Sequence, residues 1–374
     1  MASFKPTELW EASPHTLAKL EIVGRYLDVW FMILGSNPKN RRLVYIDGFA
    51  GPGRYTNTDK SSPIVALRAA QAAARRAGAA GNATEYSFLF VEKKADFAKN
   101  LREVVQSQSL PPQFKWSVEQ GSFEEKVGGL LADLKNSGKH LAPTFAFIDP
   151  FGATGLPFNV ITEILSYKSC EVLLNLDSDG IGRLVSAQAF AQNQAHLDVL
   201  FGDSSWRTEL DPKLPMQKLT AQVLALYKKR LKTAAKYVFA FAMNSREGQL
   251  NYHLVFASQH PLGLEKMKEA MKKVDQTGAY SFSDDTVGQE FLRFDFDAPA
   301  VWAERMQREL ADQWRPYDDF RDYALNETPF INPKSMLLEL ENRGLLEVKG
   351  AASRRKGTFP EDKIERILLH KSLL

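Results

Sequence analysis

The chain is almost without cysteine, since its 374 residues contain only one, Cys170. A single thiol cannot form an internal disulfide, and it cannot supply the several ligands of a structural zinc site. Disulfide-stabilised scaffolds are therefore excluded, and a reducing compartment, the cytoplasm, is the expected location. The six histidines add no metal site, because no two of them have the spacing of metal ligands.

Long apolar segments are also missing from the sequence. The longest, such as residues 172–176, fall far short of the ~20 residues that a membrane-spanning helix requires. The first ten residues include Lys5 and Glu8 and lack the apolar segment of a signal peptide. We therefore expect no membrane partner.

Neither sign of charge dominates, because the net charge is only +3. The excess lies in residues 331–374, where nine Lys and Arg face six Asp and Glu. Within this segment, residues 349–356 read KGAASRRK and contain no acid. Such a segment is either a solvated basic loop or a contact for nucleic acid.

The remaining composition is that of an ordinary globular protein, with 44% hydrophobic and 25% charged residues. A chain of this length favours roughly two domains. Five short apolar segments alternate with helical periodicity, which predicts an α/β fold with a parallel sheet and helices on both faces. These predicted strands are residues 43–46, 86–91, 115–118, 144–148 and 172–176.

Later segments complete the predicted architecture. Residues 181–235 form a helical insertion, after which two more strands, 237–243 and 252–257, give a seven-stranded sheet. The helix predicted at 335–342, the strand that follows it and the basic hairpin indicate a winged helix-turn-helix. We therefore expect two domains, residues 1–300 and 301–374.

A glycine-rich turn follows the first predicted strand, in the segment DGFAGPG at residues 47–53. Gly48, Gly51 and Gly53 allow a tight turn and close approach of the backbone to a ligand. Glu92 ends the second strand, where nucleotide-binding α/β folds place an acid on ribose hydroxyls. Each feature alone also fits a simple loop or a solvated acid, but together they predict a nucleoside cofactor.

A third motif, Asp149-Pro150-Phe151-Gly152, follows the fourth strand. A carboxylate followed by proline holds a rigid turn, and it can accept a hydrogen from an exocyclic amino group while a backbone carbonyl takes the other. The alternative interpretation is a turn that merely ends the strand.

Several segments together resemble the three-Cys-motif partner protein family, TcmP, over nearly the whole chain from about His15. They are YIDGFAGPG, SSP, FVEKK, GSFEE, FIDPFGATGLP, LNLDSDG and YHLVFASQHPLGLEKMKEAM. The resemblance implies a Rossmann-like class I S-adenosylmethionine-dependent methyltransferase domain. It also implies a partner that carries three cysteines and is similar to radical-S-adenosylmethionine proteins.

The resemblance also implies roles for individual residues. S-adenosylmethionine would be bound by residues of the first three strand ends, with Glu92 on the ribose and the segment 121–123 facing the adenine. The predicted cofactor-binding residues are Asp47, Gly48, Phe49, Gly51, Gly53, Glu92, Ser122 and Phe123. The predicted catalytic residues are Asp149, Pro150 and Phe151. Amino-methyltransferases have an aromatic at the fourth position of this motif, where the chain has Gly152, so Phe151 or Phe158 would have to stack on the base.

These observations favour a methyltransferase that acts on a base of DNA or RNA, with the nucleic acid bound through Arg354, Arg355 and Lys356. The alternative is a methyltransferase-like protein that binds nucleic acid or scaffolds a modifying complex without turnover. Lys19, in the first predicted helix, is either a solvated residue or a contact for a phosphate or a cofactor carboxylate.

Overall fold

The computed structural model describes residues 9–79, 84–186, 193–244, 250–275, 281–283, 299–350 and 354–371. Residue contacts divide the chain into two compact units. The described residues of the first unit lie in 9–275 and 281–283, and those of the second lie in 299–371.

The first unit alternates strands and helices along the chain. Its strands are β1 (Arg42–Asp47), β2 (Glu85–Glu92), β3 (Phe114–Gln120), β4 (Thr144–Ile148), β5 (Cys170–Leu176), β6 (Tyr237–Asn244), β7 (Leu250–Ser258) and β8 (Ser281–Ser283). Its helices are α1 (Pro14–Gly35), α2 (Ser62–Ala79), α3 (Ala95–Gln106), α4 (Phe123–Asn136), α5 (Phe158–Ser166), α6 (Ser178–Val185), α7 (Gln194–Phe201), α8 (Trp206–Glu209), α9 (Met216–Leu231) and α10 (Pro261–Val274).

The described strands of this unit form one sheet in the order β3-β2-β1-β4-β5-β7-β6-β8. Strands β1 to β5 are parallel, as the sequence predicts, whereas β7 runs antiparallel to both β5 and β6. The reversal has a simple cause. Only residues 245–249 separate β6 from β7, and a parallel crossover needs a dozen or more residues. The short strand β8 adds an eighth strand to the seven predicted.

Helices cover both faces of this sheet. Helices α4, α5 and α9 share one apolar core with β4 and β5, to which Val127, Ile161 and Val223 belong. On the other face, Tyr26 and Phe31 of α1 contact aromatic rings of β4 and β2. Helix α1 begins at a Ser13 cap that accepts the Thr16 amide, and α6 to α9 account for the described part of the predicted insertion.

The second unit has its own core. It comprises α11 (Pro299–Leu310), α12 (Tyr317–Glu327), α13 (Lys334–Asn342) and the antiparallel strands β9 (Leu346–Lys349) and β10 (Arg366–Leu369). Met306 of α11 is buried with Phe320, Leu337 and Ile367. The described part of this unit begins with α11 at Pro299, and the domain boundary at residue 301 stays a prediction. In neither unit does a described helix combine the length and hydropathy that crossing a bilayer requires.

Candidate functional site

A cleft of about 1050 Å³ lies in the first unit, where the loops after β1, β2, β3 and β4 meet. The strand order reverses between β1 and β4, and ligands of open α/β sheets bind at such a point, outside the carboxyl ends of the strands. The cleft brings together seven residues that the sequence predicts for the site. They are Gly48, Phe49, Glu92, Ser122, Phe123, Pro150 and Phe151.

The glycine turn after β1 is held in place by several contacts. A Cβ on Gly48 would lie 2.7 Å from the Phe123 ring, so a larger residue cannot fit there without displacing that ring. Gly51 has a φ of 63°, which a residue with a side chain rarely adopts. Gly53 packs against Leu101 of α3, and its carbonyl accepts the Ser61 hydroxyl at 2.7 Å. Gly51 and Gly53 therefore shape the turn without lining the cleft.

Glu92 connects two of the loops that form the cleft. One carboxylate oxygen accepts the Gly51 amide at 2.9 Å, and the other accepts the Lys94 amide at 2.7 Å. The side chain is mostly buried and lines the cleft. A carboxylate has about four lone-pair sites, so Glu92 can still accept hydrogen bonds from a ligand.

Asp47 is fully buried below the cleft and does not line it. Burial raises its pKa to about 7, although hydrogen bonds from Ser62 and from the Phe49 amide oppose the rise. The negative charge of Asp149 adds to the increase. Asp47 therefore titrates near neutral pH and couples the ends of β1 and β4 electrostatically.

Ser122 and Phe123 form the start of α4. The Ser122 hydroxyl caps this helix by accepting the Glu125 amide at 3.1 Å, which leaves the first turn at the edge of the cleft. The buried Phe123 ring lies 6.1 Å from the Phe49 ring, between ring centroids. These two rings give the cleft an apolar wall between the ends of β1 and β3.

Asp149 follows β4 and is held by side chains from two other elements. Lys19 of α1 approaches one carboxylate oxygen to 2.5 Å, and the Asn175 amide of β5 donates to the other at 2.9 Å. Lys19 is thus not the solvated residue that the sequence offers as one alternative, and its ammonium is paired with a carboxylate of the protein itself. A contact of Lys19 with a phosphate or a cofactor carboxylate stays a prediction. Asp149 itself does not line the cleft, which its neighbours Pro150 and Phe151 do.

An aromatic cluster stands at the β4 end of the cleft. Phe151 is 78% exposed, and its ring centroid lies 6.1 Å from that of Trp10. Trp10 also contacts Tyr55 and Phe97. The Trp10 carbonyl accepts the Thr56 amide at 3.1 Å, so the chain before α1 is attached to the loop after β1. This cluster can stack on a flat ring.

Sequence reasoning missed several of these residues. Trp10 lies outside every predicted element and belongs to no motif, so no sequence signal points to it. Val199 and Leu200 of α7 line the same cleft, but they resemble any other apolar positions of a helix. Asn175 carries a weak signal, since it is a polar residue near the end of an apolar strand, as Glu92 is.

The basic hairpin of the second unit contains one residue with a clear structural role. The Arg354 guanidinium is ion-paired with Glu341 of α13, donates to the Thr358 carbonyl and lies over the Phe359 ring. Glu341 also accepts the Gly357 amide at 2.6 Å. Arg354 therefore attaches the hairpin to α13.

The neighbouring Arg355 and Lys356 do not share this arrangement. Arg355 and Lys356 are both exposed, and Lys356 directly precedes Gly357. Among the described residues of both units, no group of three or more His, Cys, Asp and Glu side chains has an arrangement that could hold a metal ion.

A scan against family models and a search among curated proteins found no match for the chain. Among solved structures, it is similar to cofactor-bound Rv0187 from MTB, with 12% identity over 63% of this chain and 79% of the other and a TM-score of 0.34. It is also similar to the SAH-bound Podospora anserina methyltransferase PaMTH1, with 10% identity over 62% of this chain and 78% of the other and a TM-score of 0.29.

A third similar structure is a geranyl diphosphate methyltransferase in complex with GPP and sinefungin, with 12% identity over 62% of this chain and 77% of the other and a TM-score of 0.26. Identities and TM-scores this low establish neither an activity nor a family for this chain. The family resemblance of the sequence stays a prediction, and the function must be inferred from the geometry of the cleft.

Proposed function

We propose that the first unit binds S-adenosylmethionine in this cleft and is a methyltransferase whose acceptor is a nucleic-acid base, with an exocyclic amino group favoured. One observation carries the proposal. Residues from the ends of four strands, among them Glu92, Phe123 and Phe151, converge on a single cleft at the point where the strand order reverses.

The residues present fit this cofactor. Glu92 has lone pairs left for two ribose hydroxyls, and the rings of Phe49 and Phe123 offer apolar contact to an adenine. Gly48 presents backbone without a side chain at the cleft. Ligand sites usually span about 300–1000 Å³. At about 1050 Å³ the cleft has room for a nucleoside cofactor together with part of an acceptor.

When bound, S-adenosylmethionine supplies an electrophilic methyl group. The chain's own contribution is orientation, which can account for much of the rate of such a transfer. Asp149, paired with Lys19, can accept a hydrogen bond from an amino group. Phe151, exposed beside it, offers a ring for stacking of a base that has left its duplex or was never paired.

A second candidate function is non-catalytic. Gly152 stands where a stacking aromatic would be expected. This departure favours a protein that binds nucleic acid or scaffolds a complex with a three-cysteine, radical-S-adenosylmethionine-like partner. Membership of the three-Cys-motif partner family belongs to this proposal and is supported by the sequence segments alone.

Two measurements on the full chain test the enzyme proposal. Calorimetric titration with S-adenosylmethionine should show binding, which Gly51→Val should abolish because φ is 63° there. Gly78→Val is the matched control, since a Cβ on Gly78 meets open space in α2. A labelled-methyl assay with mixed DNA and RNA should then show incorporation. Binding without incorporation favours the scaffold, and absence of binding contradicts the enzyme proposal.

We further propose that the second unit is a winged helix-turn-helix that binds nucleic acid. Its elements follow the order helix, bridge, two helices and two strands, and the bridge joins Arg315 to Ile367 of β10. In such a domain one helix enters the major groove and the hairpin contacts the backbone. Arg355 and Lys356 are the hairpin cations that we assign to phosphate, and Arg354 supports them by fixing the hairpin on α13.

The test is the salt dependence of nucleic-acid binding. Replacing Arg355 and Lys356 by Ala should lower the slope of log K against log salt by about 1.8, at ~0.9 per phosphate contact in B-DNA. The control replaces Lys135 and Lys139, two exposed cations that precede β4 at the opposite edge of the sheet from the cleft. If both double variants keep the slope of the parent, the hairpin does not contact phosphate, and docking to a protein partner becomes the better interpretation.

A further inference from the structure

Lys19 is a buried lysine in a helix whose buried face is otherwise largely apolar. It is 9% exposed, and its ammonium lies 2.5 Å from Asp149, the residue after β4. The Tyr252 ring of β7 lies 5.3 Å from the same ammonium. Lys19 therefore reaches from α1 to the acidic residue of the acceptor motif, a contact that the sequence does not reveal.

This ion pair is not needed to attach α1 to the sheet. The helix already buries Ile22, Val23, Leu27 and Phe31 completely. Removing two charges from water costs more than a buried ion pair usually returns, and apolar residues often serve as well or better. A buried pair in this position therefore calls for a role other than stability.

Lys19 stays charged in spite of its burial. Desolvation alone would lower the pKa of Lys19, but the charge and hydrogen bond of Asp149, with a contribution from Tyr252, raise it above its ordinary value. A lysine held in this form is a poor proton acceptor. Its role must lie in what the ammonium does to the carboxylate beside it.

We propose that Lys19 is a positioning residue, which together with Asn175 fixes the Asp149 carboxylate for the acceptor group. This inference rests on the proposed methyl transfer. Lys19 and Asn175 use one lone pair on each carboxylate oxygen and leave the others available. A carboxylate in this state only accepts hydrogen bonds, so the acceptor must bring an N–H or O–H donor.

Two substitutions separate positioning from packing. Lys19→Met keeps a long unbranched side chain and removes the charge, whereas Lys19→Arg keeps the charge. If Lys19 positions Asp149, Lys19→Met should lower kcat by about 10²-fold, the scale of a small misplacement of a reacting group. The Kd for S-adenosylmethionine should stay within about threefold of the parent, and Lys19→Arg should recover most of kcat.

The matched control is Lys268→Met. Lys268 is also buried, but it lies in α10 over the Phe239 ring, away from the acceptor motif. This variant should keep the kcat of the parent whatever its effect on the melting temperature. A similar loss of kcat in Lys268→Met and Lys19→Met would show a general effect of removing a buried lysine and would overturn the proposal.

A double-mutant cycle tests whether Lys19 acts through Asp149. Lys19→Met combined with Asp149→Asn should lower kcat no further than Asp149→Asn alone. The double variant should also melt at a higher temperature than Lys19→Met, because it leaves no partly buried carboxylate without its cation. Multiplicative losses of kcat, or a kcat of Lys19→Met within twofold of the parent, would overturn the proposal. If the parent transfers no methyl group to any acceptor, the proposed function fails and this inference fails with it.

Discussion

At the β1–β3 end of the cleft the acidic residue is held by backbone amides, whereas at the β4–β5 end it is held by side chains. Glu92 accepts the amides of Gly51 and Lys94, which belong to the loops of its own strand and the neighbouring one. Asp149 instead depends on Lys19 of α1 and Asn175 of β5. At the first end the acid is therefore held by main-chain groups of neighbouring loops, and at the second by side chains from two separate elements.

This difference indicates where specificity can change. Backbone amides are present in any sequence that makes the same turns, so the β1–β3 end, the proposed cofactor end, needs little more than glycines and one acid. The β4–β5 end, the proposed acceptor end, can change with one side chain in α1 or β5 while the sheet stays intact. We therefore expect substitutions at the two ends to separate cofactor affinity from turnover.

The largest expected effect is at Asp149. Asp149→Ala should reduce methyl transfer by about 10²–10⁴-fold, the range for a group that contacts the proton of a reacting atom. Cofactor affinity should stay within a few-fold, because in the proposed mechanism Asp149 contacts the amino group of the acceptor and not the cofactor. Single-turnover rates and calorimetry give the two values. Asp133→Ala, in an exposed position of α4, is the control. Full activity in Asp149→Ala would exclude the amino-group mechanism.

Asp47 lies below both ends, and its titration should be visible in the stability of the protein. The folded pKa is about 7 against an ordinary value of 3.8, so the folded state keeps a proton that the unfolded state has lost. Stability must therefore fall as pH rises from about 4 to about 7 and then level off. Asp47→Asn removes this loss.

Melting of the parent and of Asp47→Asn at pH 5 and pH 8 gives the measurement. The free energy of unfolding of Asp47→Asn, relative to that of the parent, should be about 3 kcal/mol larger at pH 8 than at pH 5, at ~1.4 kcal/mol per pKa unit. His253 acts in the opposite direction, since burial lowers its pKa to about 4, but it is the same in both proteins and cancels in the difference. If the difference in free energy of unfolding between Asp47→Asn and the parent is the same at both pH values, the raised pKa of the buried Asp47 is contradicted.

The cofactor end is tested at Glu92. Glu92→Ala should weaken S-adenosylmethionine binding by about 1.5–3 kcal/mol, the scale of hydrogen bonds to a charged group. The control is Glu85→Ala, because Glu85 stands at the other end of the same strand, paired with Arg42. Calorimetry measures both affinities. Equal affinities for the two variants would place the ribose away from Glu92.

The sequence predicts the β1–β3 end well because its structure is local. Strand β1 is a short apolar run in which Leu43, Tyr45 and Ile46 are fully buried, and the turn after it is marked by glycines with positive φ such as Gly51. The parallel order of β1 to β5 follows from helices between the strands. The antiparallel β7 could also have been predicted, since only residues 245–249 separate it from β6.

Other features could not be predicted, because they depend on residues far apart in the chain. Nothing near Lys19 indicates that it pairs with Asp149, and a lysine in an amphipathic helix is usually solvated. The ion pair of Arg354 in the second unit could not be predicted either, because its partner Glu341 lies in the preceding helix. In both cases the chemistry of one residue is decided by a partner that only the fold brings close.

The smallest effect concerns Trp10, which tests whether the aromatic cluster belongs to the acceptor end. Stacking on a base is worth about 1–3 kcal/mol, and we expect Trp10→Ala to lose about 1 kcal/mol of affinity for single-stranded nucleic acid because Phe151 remains. The hydrogen bond from the Thr56 amide to the carbonyl of residue 10 involves only backbone atoms and is kept in the variant. The chain before α1 should therefore stay attached to the loop after β1.

Trp116→Ala is the control for Trp10→Ala, because Trp116 is equally exposed, at 36%, but lies in β3 and not at the cleft. Fluorescence-anisotropy titration of a labelled oligonucleotide measures both variants, and calorimetry should show unchanged cofactor affinity. A loss confined to Trp10→Ala would place the acceptor base at the β4 end, beside Asp149. A loss of cofactor affinity in that variant would instead assign the aromatic cluster to the cofactor and remove the distinction between the two ends.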